Sequence, residues 1–70
     1  MNYFAKNLEF LTKTSISQSE LARRLELPRQ NITKYLKGQE PKYDKLIKIS
    51  EIYNVSIDDL LKKDLSNYKI

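Results

Sequence analysis

Cysteine and histidine are both absent from this 70-residue chain. Without cysteine there is no disulfide to staple a small fold and no thiolate to hold a metal. Without histidine, the commonest general base and the commonest zinc ligand are missing together. Glycine occurs once and proline twice, a composition that suits a helical protein with few loops. Apolar runs are short, Leu46-Ile47 being typical, and none is long enough to span a membrane. The opening Met1-Asn2-Tyr3-Phe4 has no signal-peptide h-region, so a cytoplasmic location is expected. No glycine-rich phosphate loop is present either. With no constellation able to perform chemistry, the chain is read as non-enzymatic, with no metal and no cofactor.

What the chain does have is charge, unevenly placed. The net charge is +4. Residues 23 to 48 carry eight cations, from Arg23 to Lys48, against Glu26, Glu40 and Asp44, while residues 1 to 22 balance and residues 49 to 70 are slightly acidic. A basic middle third points to a polyanionic partner, although solvated helix faces are often basic too. A chain this short forms one domain, residues 1 to 70, with a modest core and a frayed tail over 66 to 70.

Caps and spacing predict five helices. Phe4, Leu8 and Leu11 recur at helical spacing over about Tyr3 to Lys13. Ser17-Gln18-Ser19-Glu20 has the form of a capping box, with Ile16 and Leu21 placed as a staple, and Leu21, Ala22 and Leu25 supply the inner stripe of a short second helix. The third helix starts around Pro28, which suits a first turn, and stops at Gly38, suited to a left-handed terminus. Within it Arg29, Gln30, Thr33, Lys34 and Lys37 share an arc of about 140°. Ile32, Tyr35 and Leu36 share the opposite arc. A fourth helix runs from about Tyr43 to Tyr53, burying Leu46, Ile47, Ile49 and Tyr53, with Asn54 as its left-handed stop. A fifth starts at Ser56, with Asp59 completing a second capping box and Val55 and Leu60 as a staple, and runs to about Asp64 or Leu65. Tyr35 and Tyr53 are expected in the core with the hydroxyl at the surface.

The second and third helices are separated only by Glu26-Leu27. So short a turn forbids an antiparallel pair, so the helices cross steeply and the third protrudes. A rod about 10–12 Å across fits a major groove about 12 Å wide. Arg29, Gln30, Thr33 and Lys34 are also what an ordinary solvated face carries; the flanking turn and Gly38 favour recognition.

The ordered pieces Ser17-Gln-Ser-Glu-Leu-Ala-Arg-Arg-Leu25, Pro28-Arg-Gln-Asn-Ile-Thr-Lys-Tyr35 and Lys37-Gly38 resemble the phage repressor/Cro (lambda-repressor-like) helix-turn-helix family. So do Pro41, Leu46-Ile-Lys-Ile49, Asn54-Val-Ser56 and Asp59-Leu-Leu61. The likeness covers nearly the whole chain, from Asn7-Leu8 to Asp64-Leu65. It implies a compact, all-α, five-helix DNA-binding domain with the helix-turn-helix at helices 2 and 3. It also implies a bacterial or phage-encoded regulator of transcription, most simply a repressor. Its partner would be a double-stranded DNA operator, met as a homodimer on a palindrome. By the same resemblance Arg29, Gln30 and Lys34 face base edges, with Thr33 between them. Gln18 and Asn31 contact backbone, and Lys42 and Tyr43 meet a second stretch of phosphate. Lys37 adds a further phosphate contact. The side-chain chemistry agrees: arginine pairs with guanine and glutamine with adenine, while phosphate contacts set register.

The chain departs from the family at several points. Glu26 stands where glycine is usual, Pro28 replaces a Ser/Thr cap, and Thr12 and Leu36 replace an arginine–glutamate pair, which implies that Leu36 packs on the first helix. The loop at Thr14-Ser15 is short. Arg23, Arg24, Lys45 and Lys48 read as solvated or acid-paired, and Asp58-Asp59 as a helix first turn. Leu61, Leu65, Tyr68 and Ile70 either close the core or, in the case of Leu61, Leu65 and Tyr68, form a dimer patch. Those apolar residues also leave open an antitoxin-like, protein-binding role in which DNA binding is secondary. A membrane-surface role is disfavoured because the apolar faces are needed for the core.

Overall fold

Serine hydroxyl caps begin two of the helices, and left-handed residues end two. The structure, a computed structural model, describes residues 2–67. Among them the chain forms α1 (Phe4–Thr14), α2 (Gln18–Leu25), α3 (Arg29–Leu36), α4 (Tyr43–Tyr53), α5 (Ile57–Lys62) and a closing 3₁₀ turn, Leu65–Asn67. No described residue is in a strand. The expected all-α, five-helix architecture is present.

Ser17 and Ser56 cap α2 and α5, their hydroxyls accepting from the N–H groups of Glu20 at 3.2 Å and Asp59 at 3.1 Å. The acids do not complete the expected boxes. Glu20 turns along its own helix to Arg23 and Arg24, and Asp59 pairs with Lys63 at 3.2 Å. A carboxylate gains more from a charged donor than from a lone exposed N–H. The first helix is shifted by one residue from the expected 3–13. Asn2 Oδ1 accepts from the Phe4 N–H at 2.9 Å, and Thr14 Oγ1 donates to the Phe10 carbonyl at 2.8 Å, which keeps Thr14 helical.

Two turns share one plan. Glu26 (φ 58, ψ 42) ends α2 and Asn54 (φ 56, ψ 45) ends α4, both left-handed. The next N–H then reaches back, Leu27 to the Ala22 carbonyl and Val55 to the Ser50 carbonyl, each at 3.0 Å. Asparagine tolerates this conformation, whereas a glutamate there carries strain of about 1 kcal/mol. Pro28, expected within the first turn of α3, stands just outside it as the extended cap residue, and Gly38 follows α3 with φ 111.

The core runs through all five helices, from Phe4, Leu8 and Leu11 through Leu21, Leu25 and Ile32 to Ile49 and Leu60. The Phe4 and Tyr35 rings meet edge-on, with centroids 6.4 Å apart. Tyr53 is buried, and its hydroxyl, expected at the surface, donates to the Ile16 carbonyl at 2.7 Å. Burial pushes that phenol up to about 12. On α4, Leu46 and Ile47, expected buried, are half-buried; Leu46 still packs on the core, and so does the equally half-buried Ile52. Ile52 lies three residues from Ile49 and shares its face; Ile47, two residues away, does not.

The fifth helix ends at Lys62, short of the expected Asp64 or Leu65. The cause is Asn7, fully buried on α1. Its Nδ2 donates to the carbonyls of Leu60 at 2.7 Å and Lys63 at 2.6 Å, and its Oδ1 accepts from the Leu65 N–H at 2.9 Å. One amide thus satisfies backbone groups that a longer helix would have paired internally. Leu61 and Leu65 are half-buried and pack against the core. Tyr68 and Ile70 lie outside the described residues.

Candidate nucleic-acid interface

The element expected to protrude is α3, whose polar face is exposed. It packs on α1 and α2 through Ile32 and Tyr35, both buried. Arg29, Gln30, Thr33 and Lys34 are all exposed on the opposite side. The helix begins at an extended proline with no side-chain cap, and its first turn holds no acid. Leu36 is half-buried against the core, and Thr12, the other residue standing in for the family's ion pair, is buried with its hydroxyl on the Glu9 carbonyl at 3.1 Å.

The candidate backbone contacts are spread over the start of α2, α3 itself and the start of α4. Gln18 is the first residue of α2 and is half-buried. Lys37 is the exposed cap at the end of α3. Lys42 is the cap of α4, and Tyr43, its first residue, is 70% exposed, more than any other large apolar side chain described. Asn31 and Lys42 line the same open cavity of about 270 Å³, together with Leu27, Tyr35 and Lys45. Leu61 and Leu65 belong instead to the α5 side, where α5 packs on α1 and α4.

The cations divide into two sets. Arg23 and Arg24 are held by Glu20, with Nε–O distances of 3.0 Å and 2.8 Å. Those two guanidiniums pull the Glu20 carboxyl down to about 2. Among the described residues Arg29, Lys34, Lys37 and Lys42 stand in no ion pair. Of the acids near them in sequence, Glu40 accepts from Asn2 Nδ2 at 2.9 Å, and Glu26 and Asp44 stand in no ion pair among the described residues. Positive charge is therefore partly offset on α2, where one carboxylate serves two arginines, and left without an ion-pair partner on Arg29, Lys34, Lys37 and Lys42, where it attracts a polyanion.

Two features were not foreseen. Lys45, read as a solvated residue, is half-buried and donates to the Leu25 carbonyl at 3.1 Å. Its partner lies on another helix, and no local pattern signals such a contact. Asn2 ties the start of the chain to the segment after α3 for the same long-range reason. No helix among the described residues is long and apolar enough to cross a membrane. No cluster of described acids is arranged to hold a metal.

Comparison with known proteins agrees with this geometry. A helix-turn-helix family model matches residues 9–60, which takes in α2, the turn, α3 and α4. The HTH-type transcriptional regulator ImmR of Bacillus subtilis (strain 168) is 40% identical over 53 residues, 74% of this chain and 42% of that protein. The chain thus spans less than half the length of this relative. No solved structure matches. The family match covers well over half the chain, and with the exposed third helix it leads to one assignment: the chain belongs to the lambda-repressor-like, Cro/C1-type helix-turn-helix family of DNA-binding transcriptional regulators.

Proposed function

We propose that this chain reads double-stranded DNA in the major groove with α3 and acts as a regulator, most simply a repressor, from the cytoplasm. The carrying observation is that Arg29, Gln30, Thr33 and Lys34 are exposed together on one face of α3. Arg29 is placed to pair with guanine and Gln30 with adenine, each pair supplying roughly 1–3 kcal/mol of discrimination. Thr33 and Lys34 complete the base-facing row. Gln18, Asn31, Lys37, Lys42 and Tyr43 hold phosphates and fix register.

One such helix reads only a few base pairs. Two copies on a palindrome, their recognition helices about 34–36 Å apart, would double the readout on one face of the duplex. A role confined to protein binding rested on exposed C-terminal leucines; Leu61 and Leu65 pack on the core instead, which favours the DNA reading. Of the patch Leu61, Leu65 and Tyr68 considered for a dimer contact, the two leucines are half-buried on the core and Tyr68 lies outside the described residues, so dimerisation is proposed on DNA rather than through that patch.

Selection of bound duplexes from a random pool is the test. A short palindrome is the expected product. On that site Arg29→Ala and Gln30→Ala relax base preference, while Lys42→Ala weakens selected and random DNA alike and lowers the salt slope by about 0.9. No enriched sequence at moderate salt, or equal losses on both kinds of DNA for all three variants, defeats the assignment.

A further inference from the structure

The last carbonyls of α2 must find partners before the chain can start α3. Those of Ala22 and Arg23 are taken by the N–H groups of Glu26 and Leu27. The Leu25 carbonyl receives the Lys45 ammonium from α4 at 3.1 Å. A cation at this end of a helix also meets the negative pole of its dipole. No other side-chain hydrogen bond among the described residues joins α4 to α2 or α3. The residue that follows, Glu26, is held at φ 58 without the conformational freedom of glycine. This bond therefore sits on the strained hinge between the two helices, at the point that decides how α3 is presented.

Lys45 also lines the open cavity with Asn31 and Lys42, so a direct phosphate contact is the obvious rival role. The two roles differ physically. A phosphate contact releases a counterion and carries no base information, whereas a hinge tie changes the angle of the reading helix and releases none. Half-burial and the bond to a backbone carbonyl favour the tie.

We infer that Lys45 is a positioning residue: by gripping the Leu25 carbonyl it fixes the angle at which α3 leaves α2, and so sets base preference from α4. The inference rests on the DNA-reading role proposed above. Lys45→Met keeps the apolar stem and removes the donor; Lys45→Arg keeps a donor. The chain and both variants are titrated with the selected duplex and with random duplex across a salt series, and backbone amide exchange is followed at Glu26 and Leu27.

In Lys45→Met, binding to the selected site weakens roughly three- to tenfold. Random DNA is affected less, the salt slope is unchanged, and the two amides exchange faster. Lys45→Arg recovers most of the loss. A slope shallower by about 0.9 would make Lys45 a phosphate contact and overturn the inference. So would a lower melting temperature with the ratio of selected to random binding intact, or unchanged amide exchange. If the unmodified chain selects no DNA at all, the functional reading fails. The exchange comparison then still decides whether Lys45 holds the hinge.

Discussion

The chain makes the same turn twice and uses it for opposite ends. From α2 to α3 the order is a left-handed Glu26, an apolar Leu27, an extended Pro28 and then helix; from α4 to α5 it is Asn54, Val55, Ser56 and then helix. Even the backbone bonds correspond, Leu27 to Ala22 and Val55 to Ser50. What differs is what the second helix of each pair presents. The first turn of α5 is capped by the Ser56 hydroxyl and carries Asp58 and Asp59. The first turn of α3 has no side-chain cap, no acid, and Arg29 at its head. The positive end of a helix dipole attracts anions. In α5 the chain supplies them itself; in α3 it leaves them to a partner. On the proposed reading, the side chains of the first turn are what distinguish the copy that meets DNA from the one that does not.

The difference extends to how each helix is fastened, and here the largest effect is expected. Asn7 binds the end of α5 to α1 through two carbonyls and one N–H at 2.6 to 2.9 Å. Asn7→Leu would take this side-chain partner from one buried and two part-buried backbone groups, at about 1–3 kcal/mol for each that finds no replacement, so a loss of about 3 kcal/mol is expected. For so small a domain that is most of its stability. By contrast Thr33→Ala, on the exposed face of α3, should shift stability by less than about 0.5 kcal/mol. Urea denaturation followed by circular dichroism compares the two, and similar losses would mean that α3 is no freer than α5.

Next in size is a transplant between the turns. Gln30→Asp gives α3 the acid that α5 has in the corresponding place, Asp58. The isolated domain should gain about 0.5 kcal/mol from the helix dipole. Affinity for the selected duplex should fall about 100-fold, since an adenine contact is lost and a carboxylate faces phosphate. Paired melting and titration experiments read both changes. Retained affinity would show that the first turn of α3 does not meet DNA.

The left-handed residues themselves give a smaller contrast. Glu26→Gly relieves a strained position and should stabilise by about 0.5–1 kcal/mol, whereas Asn54→Gly should change stability by only a few tenths, roughly, because asparagine already tolerates the conformation. Equal effects in urea titrations would remove the claim that the recognition turn is the strained one.

These residues also mark how far the sequence could be read. Both turns were legible, because a polar residue closes one apolar period and an apolar–cap pair opens the next. The exposed row on α3 was legible because helical spacing alone assigns its face. What escaped were partners made across the fold. Asn7 looks like any polar residue of an amphipathic helix, and its partners lie more than fifty residues away. Lys45 has the composition of a solvated lysine, and only the placement of α4 beside α2 gives it a carbonyl. The preference of the core for Ile52 over Ile47 was hidden for the same reason, since Leu46, Ile47, Ile49 and Ile52 are spaced so that more than one face of α4 is apolar.

The smallest expected effect concerns the two serine caps, which are alike at 3.2 and 3.1 Å but differ in what the following acid does. Glu20 spans Arg23 and Arg24, and their donors lower its carboxyl from 4.5 to about 2. A carboxyl depressed in the folded chain adds stability that is fully present above 4.5 and disappears as pH falls through about 2. Because the cluster is exposed, the contribution is small and screened by salt. Glu20→Gln should therefore flatten, slightly, the fall in melting temperature between those two pH values, and added salt should shrink the gap between variant and parent. Asp59→Asn, which removes the matching acid of α5, lacks the paired arginines and should not flatten the same interval. If the two variants lost acid sensitivity equally across it, the arginine fork on α2 would carry no energetic weight, and the two caps would be equivalent in solution.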